Sequence, residues 1–317
     1  MSDPTNPTNK QRLASCTRLG FRKGGVTAWR LLRIMIPVSF CVAMLRYFGM
    51  LDHIGPYLQP VFQLLGLPAE SVIACVTAAS LSVYAGIAVL VTIPLTERQL
   101  TILAMMILVA HNLPVESAIQ HKAGTSVWRM VLLRIAASFA AGFVLNAIMP
   151  AGSDAAEVRG SATVASEGFW PAMAGWALGM AKESAKIIAI VVGLMILQEV
   201  LKEFKLMDRL AKPLGPLLWV LGLPKRMAFL WIVANVVGLA YGSGIILEEV
   251  EAGALTRKDA QLLNRSMAVC HSLLEDTLLF YVIGAWVFWI TVPRLVLAAL
   301  VVWAYRGIVF FWKREKT

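Results

Sequence analysis

The chain has 317 residues, 58% of them apolar and only 15% charged, with a net charge of +10 and a mean hydropathy of +0.71. No water-facing surface covers that much apolar side chain, so a soluble domain is excluded and an all-α polytopic membrane protein is predicted. The basic residues flank the apolar runs instead of forming one soluble face, which argues against nucleic acid as a partner and makes them topology signals.

Residues 1–29 are polar, with an amphipathic stretch from Leu13 to Phe21, and they lack the apolar core and cleavage site of a signal peptide. They read as a cytoplasmic tail. Residues 30–150 form a first repeat. It holds a spanning run at Ile34–Leu45, a Gly66-Leu67-Pro68 turn, and an apolar run Ser71–Pro94 with a polar break at Tyr84-Ala85-Gly86. A run ending in His111-Asn112-Leu113-Pro114-Val115-Glu116 and a spanning run Met130–Met149 complete it. After a linker at 151–168, residues 169–306 restate the pattern at an offset of 156 to 160 residues. Gly222-Leu223-Pro224 answers the first turn, Tyr241-Gly242-Ser243-Gly244 breaks the run Met227–Leu247, and Leu255-Thr256 answers Leu95-Thr96. His271-Ser272-Leu273-Leu274-Glu275-Asp276 then precedes the apolar stretch Leu278–Val302. Residues 307–317 are a second basic tail.

Most of these runs approach the ~20 residues that carry a helix across ~30 Å of hydrocarbon, and none alternates with the period of a barrel strand. Phe169–Met180 is either an interfacial helix or the outer part of a long helix through Lys182, Glu183 and Lys186, whose spacing suits a solvated, ion-paired face. Cys16, Cys41, Cys75 and Cys270 are scattered without metal or disulfide spacing, and are expected to be free thiols.

Charge sets the expected orientation. Leu51–Glu70 carries no Lys or Arg, whereas its counterpart Leu201–Arg226 carries Lys202, Lys205, Arg209, Lys212, Lys225 and Arg226. The positive-inside rule puts the first loop outside and the second inside, so the halves point in opposite directions and each crosses an odd number of times. Taking each broken run as a re-entrant hairpin gives six full spans and two hairpins in an inverted repeat. Lys122, Arg129 and Arg134 then fall on the cytoplasmic side, with both termini.

A helix break inside lipid leaves backbone groups unpaired at several kcal/mol each, so it is tolerated only where it lines a cavity. Tyr84, Gly86, Tyr241, Gly242, Ser243 and Gly244 are therefore expected to line a solute site, the glycines shaping hairpin tips and the tyrosines offering a ring and a hydroxyl. The alternative is that the glycines only let helices pack closely. Asn112 and Asn235 add amides that fit a solute or a neighbouring backbone. His111 and Glu116, with His271, Glu275 and Asp276, are candidates for ion coupling, since a histidine near a carboxylate holds and passes a proton near neutral pH. Five-residue spacing sets histidine and acid on nearly opposite sides of a helix, unless Pro114 breaks it. The alternative here is an interhelical hydrogen-bond pair that only holds the fold. Arg265 is expected to pair with Glu248, Glu249 or an anionic solute. No phosphate loop, nucleophile elbow or zinc spacing is present, so no enzyme activity, cofactor or metal site is predicted.

Gly222-Leu223-Pro224, Asn235 to Gly244 and His271 to Thr277, with fainter first-half copies, resemble the nucleoside-recognition or gate family. That family takes in spore-maturation membrane proteins, gate domains of ferrous-iron transporters and, distantly, concentrative nucleoside transporters. The resemblance covers roughly residues 30–150 and 180–305, and implies two opposed gate domains with a solute site at the hairpin tips. The chain departs from the iron-transporter pattern in having no GTPase domain, and lacks the extra helices of the nucleoside carriers. The expected function is a secondary transporter in the bacterial inner membrane, moving a nucleoside-like or other small organic solute with H⁺ or Na⁺. A divalent-cation permease, a non-transporting scaffold or receptor, and self-association stay open.

Overall fold

A computed structural model of the protein describes residues 8–50, 60–122, 124–150 and 168–314. The linker and terminal segments expected at 1–7, 151–167 and 315–317 lie outside the described residues. The described chain is all-helical. The first half holds α1 (Asn9–Tyr47), α2 (Ser71–Ser80), α3 (Val83–Leu90), α4 (Glu97–Ala110), α5 (Leu113–Lys122) and α6 (Val127–Ile148). The second holds α7 (Phe169–Glu203), α8 (Leu206–Ala211), α9 (Gly215–Val220), α10 (Ala228–Val236), α11 (Leu239–Glu251), α12 (Arg257–Val269), α13 (Leu273–Val282) and α14 (Val287–Arg314).

Local chemistry repeats between the halves. The Leu-Gly-Leu-Pro turns end their helices with glycine in the left-handed region, φ 69° at Gly66 and 72° at Gly222. Leu67 N donates to Phe62 O and Gly66 N to Gln63 O; Leu223 N donates to Leu218 O and Gly222 N to Trp219 O. That is the double closure a left-handed glycine makes possible, with proline stopping further helix. Thr96 and Thr256 each start the next helix with a reciprocal cap, through Gln99 and Asp259.

Among the described residues, five helical segments are long and apolar enough to span a bilayer: Asn9–Leu45, Glu97–Lys122, Val127–Ile148, Phe169–Glu203 and Val287–Phe310. The expected sixth falls short. The counterpart of Glu97–Lys122 is interrupted at 270–272 as the first copy is at His111-Asn112, but it opens on the charged Arg257-Lys258-Asp259. Helix α1 runs unbroken from Asn9, so residues 9–29 are helical and continuous with the first span. Phe169–Met180 is the first part of α7, which decides against an interfacial helix.

The hairpin breaks also differ from expectation. The chain turns at Leu81-Ser82 and at Val237-Gly238, about a turn before the predicted Tyr-x-Gly positions. Ser82 caps α3 by accepting from Ala85 N at 3.2 Å. Gly86 and Gly242 lie inside α3 and α11, not at tips. A Cβ on Gly86 would meet Ala78 Cβ at 2.5 Å, and one on Gly242 would meet Ala234 Cβ at 2.9 Å. These glycines let paired helices cross closely, which is the packing alternative.

Helix α4 is the centre of the molecule, buried from Leu100 through Ala110. It packs on α2 and α6 from its own half and on α14 from the other. Trp286, just before α14, ties the halves by donating from its backbone N to Thr101 Oγ1 (3.0 Å) and from its ring to Glu97 Oε2 (3.1 Å). Outside this core α1 and α7 run antiparallel: Arg12 meets Glu203 at 2.8 Å, and the rings of Phe40 and Trp176 lie 5.2 Å apart. Large apolar side chains such as Trp128, Trp170 and Leu300 stay exposed, as a lipid-facing surface requires.

Candidate functional site

The repeated His-to-acid motif is a helix break. His111 ends α4 in extended backbone, Asn112 takes φ 47°, and α5 starts at Leu113. His271 and Ser272 repeat this, with φ 48° at Ser272 and α13 starting at Leu273. Left-handed backbone at a non-glycine residue costs of order 1–3 kcal/mol and tends to mark functional positions. Each break is pinned by the hairpin of its own half, since Asn112 N donates to Ala78 O at 2.8 Å and Ser272 N to Ala234 O at 3.2 Å. Pro114 is not the cause, because the second copy has Leu274 in its place and breaks alike. The turn brings Glu116, in the first turn of α5, back onto His111.

The two histidines then meet across the halves. Their Nε2 atoms lie 3.4 Å apart and their ring centroids 5.1 Å apart. Glu116 Oε1 is 3.1 Å from His111 Nε2, and Glu116 Oε2 is 3.4 Å from His271 Nε2. His111 Nδ1 lies 3.1 Å from Ile107 O and His271 Nδ1 2.7 Å from Met267 O. A carbonyl only accepts, so each Nδ1 carries a hydrogen and each Nε2 is the ring atom turned to Glu116. Two ring nitrogens and one carboxylate therefore converge in a buried place. Their ligand atoms lie within 4.8 Å of one another, the compass of a single ion's ligand set.

Two arginines hold the breaks from behind. Arg134 Nε donates to Val109 O and Nη2 to His111 O, each at 2.8 Å, while Nη1 is 2.6 Å from Glu116 Oε2. Arg294 repeats the grip, with Nε on Ile290 O (2.7 Å), Nη1 on His271 O (3.4 Å) and Nη2 on Thr277 Oγ1 (2.6 Å). Both are fully buried, which corrects the reading of Arg134 as a cytoplasmic loop charge. Sequence reasoning missed them as site residues. The available signal was one arginine at matching places in two apolar runs.

Of the other predicted residues, Tyr84 donates its hydroxyl to Glu275, so both are tied to each other across the halves. Asp276 Oδ2, Asn112 Oδ1 and Asn235 Oδ1 are buried with no hydrogen-bond partner among the described residues. Asn235 Nδ2 donates to Trp231 O. Gly242 is buried; the side chains of Tyr241 and Ser243, and the setting of Gly244, lie outside the described residues. Arg265 does not pair with the glutamates: it lies over the Tyr305 ring, 3.5 Å from its centroid, and donates to Gln261 O. Lys186 pairs with Glu183 at 2.9 Å, as expected. A separate cleft of about 430 Å³, lined by Trp176, Lys182, Lys186, Thr92 and Ile283 among others, touches none of the predicted site residues. The described cysteines are free.

A family model described as nucleoside recognition, Gate, matches residues 28–125. The match falls on the half whose copies of the motif read as the fainter. Over 299 residues, 94% of this chain and 95% of the other, the sequence is 30% identical to YvoD, an uncharacterized membrane protein of Bacillus subtilis (strain 168). No solved structure matches the chain. With one gate segment matched by the family model and a membrane-protein relative aligned along nearly its whole length, this chain belongs to the nucleoside-recognition (Gate) family of membrane proteins.

Proposed function

We propose that the protein is a secondary transporter that moves a small polar solute across the bacterial inner membrane and couples it to H⁺. The observation that carries this reading is the convergence of His111 and His271, one from each repeat, on the Glu116 carboxylate, where a proton on either imidazole is held by the acid. Because the histidines come from different halves, gaining or losing that proton changes how the halves hold together, and a change in their arrangement changes proton affinity. Na⁺, a hard cation, is the weaker candidate for a set with two imidazoles. The solute lies near the breaks, where Asn112 and Asn235 have free amide oxygens, with Asp276 alongside. The family's description makes a nucleoside the first solute to test.

The opposed orientation of the halves belongs to the same proposal, with both termini cytoplasmic and the runs at 71–90 and 228–251 as re-entrant hairpins. Its support is that α1 and α7, which open the two repeats, run antiparallel, together with the charge contrast between Leu51–Glu70 and Leu201–Arg226. Cysteine labelling from each side of the membrane is expected to reach these loops from opposite faces; labelling both from one face rejects the inverted arrangement.

Flux tests the function. In proteoliposomes, a pH gradient is expected to drive nucleoside uptake by the native protein, and His271→Gln and Asp276→Asn to uncouple uptake from the gradient while the purified variants stay folded. Gradient-driven uptake unchanged in both variants removes the coupling role.

A further inference from the structure

We infer that the cluster at the junction of the halves is a binding site for one divalent first-row transition-metal ion such as Zn²⁺ or Co²⁺. His111 Nε2, His271 Nε2 and a Glu116 oxygen would be its ligands. The inference shares residues with the transport reading but does not rest on it.

Distance carries the argument. Ligand atoms about 2.0–2.1 Å from a tetrahedral Zn²⁺ stand roughly 3.3–3.4 Å from one another. His111 Nε2 stands 3.4 Å from His271 Nε2 and 3.1 Å from Glu116 Oε1, near that spacing, while His271 Nε2 is 3.4 Å from the other Glu116 oxygen, Oε2. A nitrogen-to-nitrogen separation of 3.4 Å is long for a proton-sharing hydrogen bond, and it is the edge length of a metal tetrahedron. Two imidazoles with a carboxylate also select zinc-like metals over Mg²⁺ or Ca²⁺, which want oxygen alone.

The surroundings are those of a metal site. Ligating histidines characteristically donate the other ring N–H to a backbone carbonyl or carboxylate, and ligating carboxylates are held in turn. Here both Nδ1 atoms are on carbonyls, and Arg134 holds Glu116 through Oε2, leaving Oε1 to face His111. Asp276, where the repeat offset places the mate of Glu116, is buried with Oδ2 unpartnered among the described residues, a second acid of the same motif. Metal and protons compete for the same lone pairs, so binding releases protons and strengthens as pH rises.

The test is Co²⁺ binding to the detergent-purified, chelator-stripped full chain, followed by visible absorption, with Zn²⁺ as competitor. One Co²⁺ per chain is expected, with the bands of a four- or five-coordinate nitrogen and oxygen set and no thiolate charge-transfer band, although Cys270 adjoins His271. Losing a ligand should cost at least the roughly 10- to 100-fold in affinity that losing one of its outer partners costs. His111→Gln and His271→Gln are expected to weaken binding at least that far, while His121→Gln and Cys270→Ser leave it unchanged. Metal-free melting curves show whether each variant is folded, and because two histidines are tested separately, one misfolded variant leaves the other to decide. No stoichiometric Co²⁺ in the native protein, or equal affinity in a folded histidine variant, overturns the inference. Flux plays no part in this measurement. A chain that binds Co²⁺ but moves no solute refutes transport alone, and a coupled transporter without a Co²⁺ site refutes this inference alone.

Discussion

Glu116 is the residue on which most of the site turns, because it faces both histidines while neutralising a fully buried guanidinium. Removing one partner of a buried pair strands the other, at about 3–5 kcal/mol, whereas replacing both with apolar side chains is often near neutral. Glu116→Gln is therefore expected to lower the denaturation midpoint in detergent far more than Asp276→Asn. Gly86 offers a second test at this scale. Gly86→Ala drives a methyl into Ala78 and is expected to cost about 1–3 kcal/mol by overpacking, with Ala78→Gly recovering it; thermal unfolding of the single and double variants checks this. The histidine and acid pairs were legible from repetition alone, since ionisable residues recurring inside apolar runs are costly to keep there. Arg134 was not, because a lone arginine near the start of a run reads as a membrane-edge charge until its carbonyl partners are seen.

The helices themselves are specified by short-range chemistry that recurs at the repeat offset. Thr96 and Thr256 each close a reciprocal cap, and N-cap threonine to alanine costs typically about 1 kcal/mol. Thr96→Ala and Thr256→Ala are expected to raise hydrogen exchange in the first turns of α4 and α12, and to leave the first turns of α6 and α14 unchanged. The Leu-Gly-Leu-Pro turns were readable for the same reason: glycine followed by leucine and proline closes a helix with bonds inside six residues. The hairpin breaks were misplaced. A glycine serves equally to permit positive φ or to let a neighbouring helix approach, and sequence does not separate the two uses. Only the Ala78 and Ala234 methyls facing Gly86 and Gly242 assign these glycines to packing.

At the scale of the molecule, α1 and α7 bring the opening helices of the two repeats together antiparallel, with a Cβ on Gly24 falling 2.7 Å from Val192 Cα. Carbodiimide coupling is expected to join Lys23 to Glu199, whose charged groups stand 2.8 Å apart, and not to join Lys23 to Glu183. Peptide mapping by mass spectrometry distinguishes the two, and the reverse result rejects the antiparallel pairing. Sequence by itself determined the solvent, the helical class, the twofold repetition, and the histidines and acids that interrupt it. These follow from composition, from the length of apolar runs and from bonds closed within a few residues. Which atoms confront one another was decided only by tertiary structure. The meeting of His111 with His271, the burial of Arg134 and Arg294, and the tie from Tyr84 to Glu275 join positions far apart in the chain. No local propensity encodes such separations; they arise when two similar halves bury their broken helices against each other.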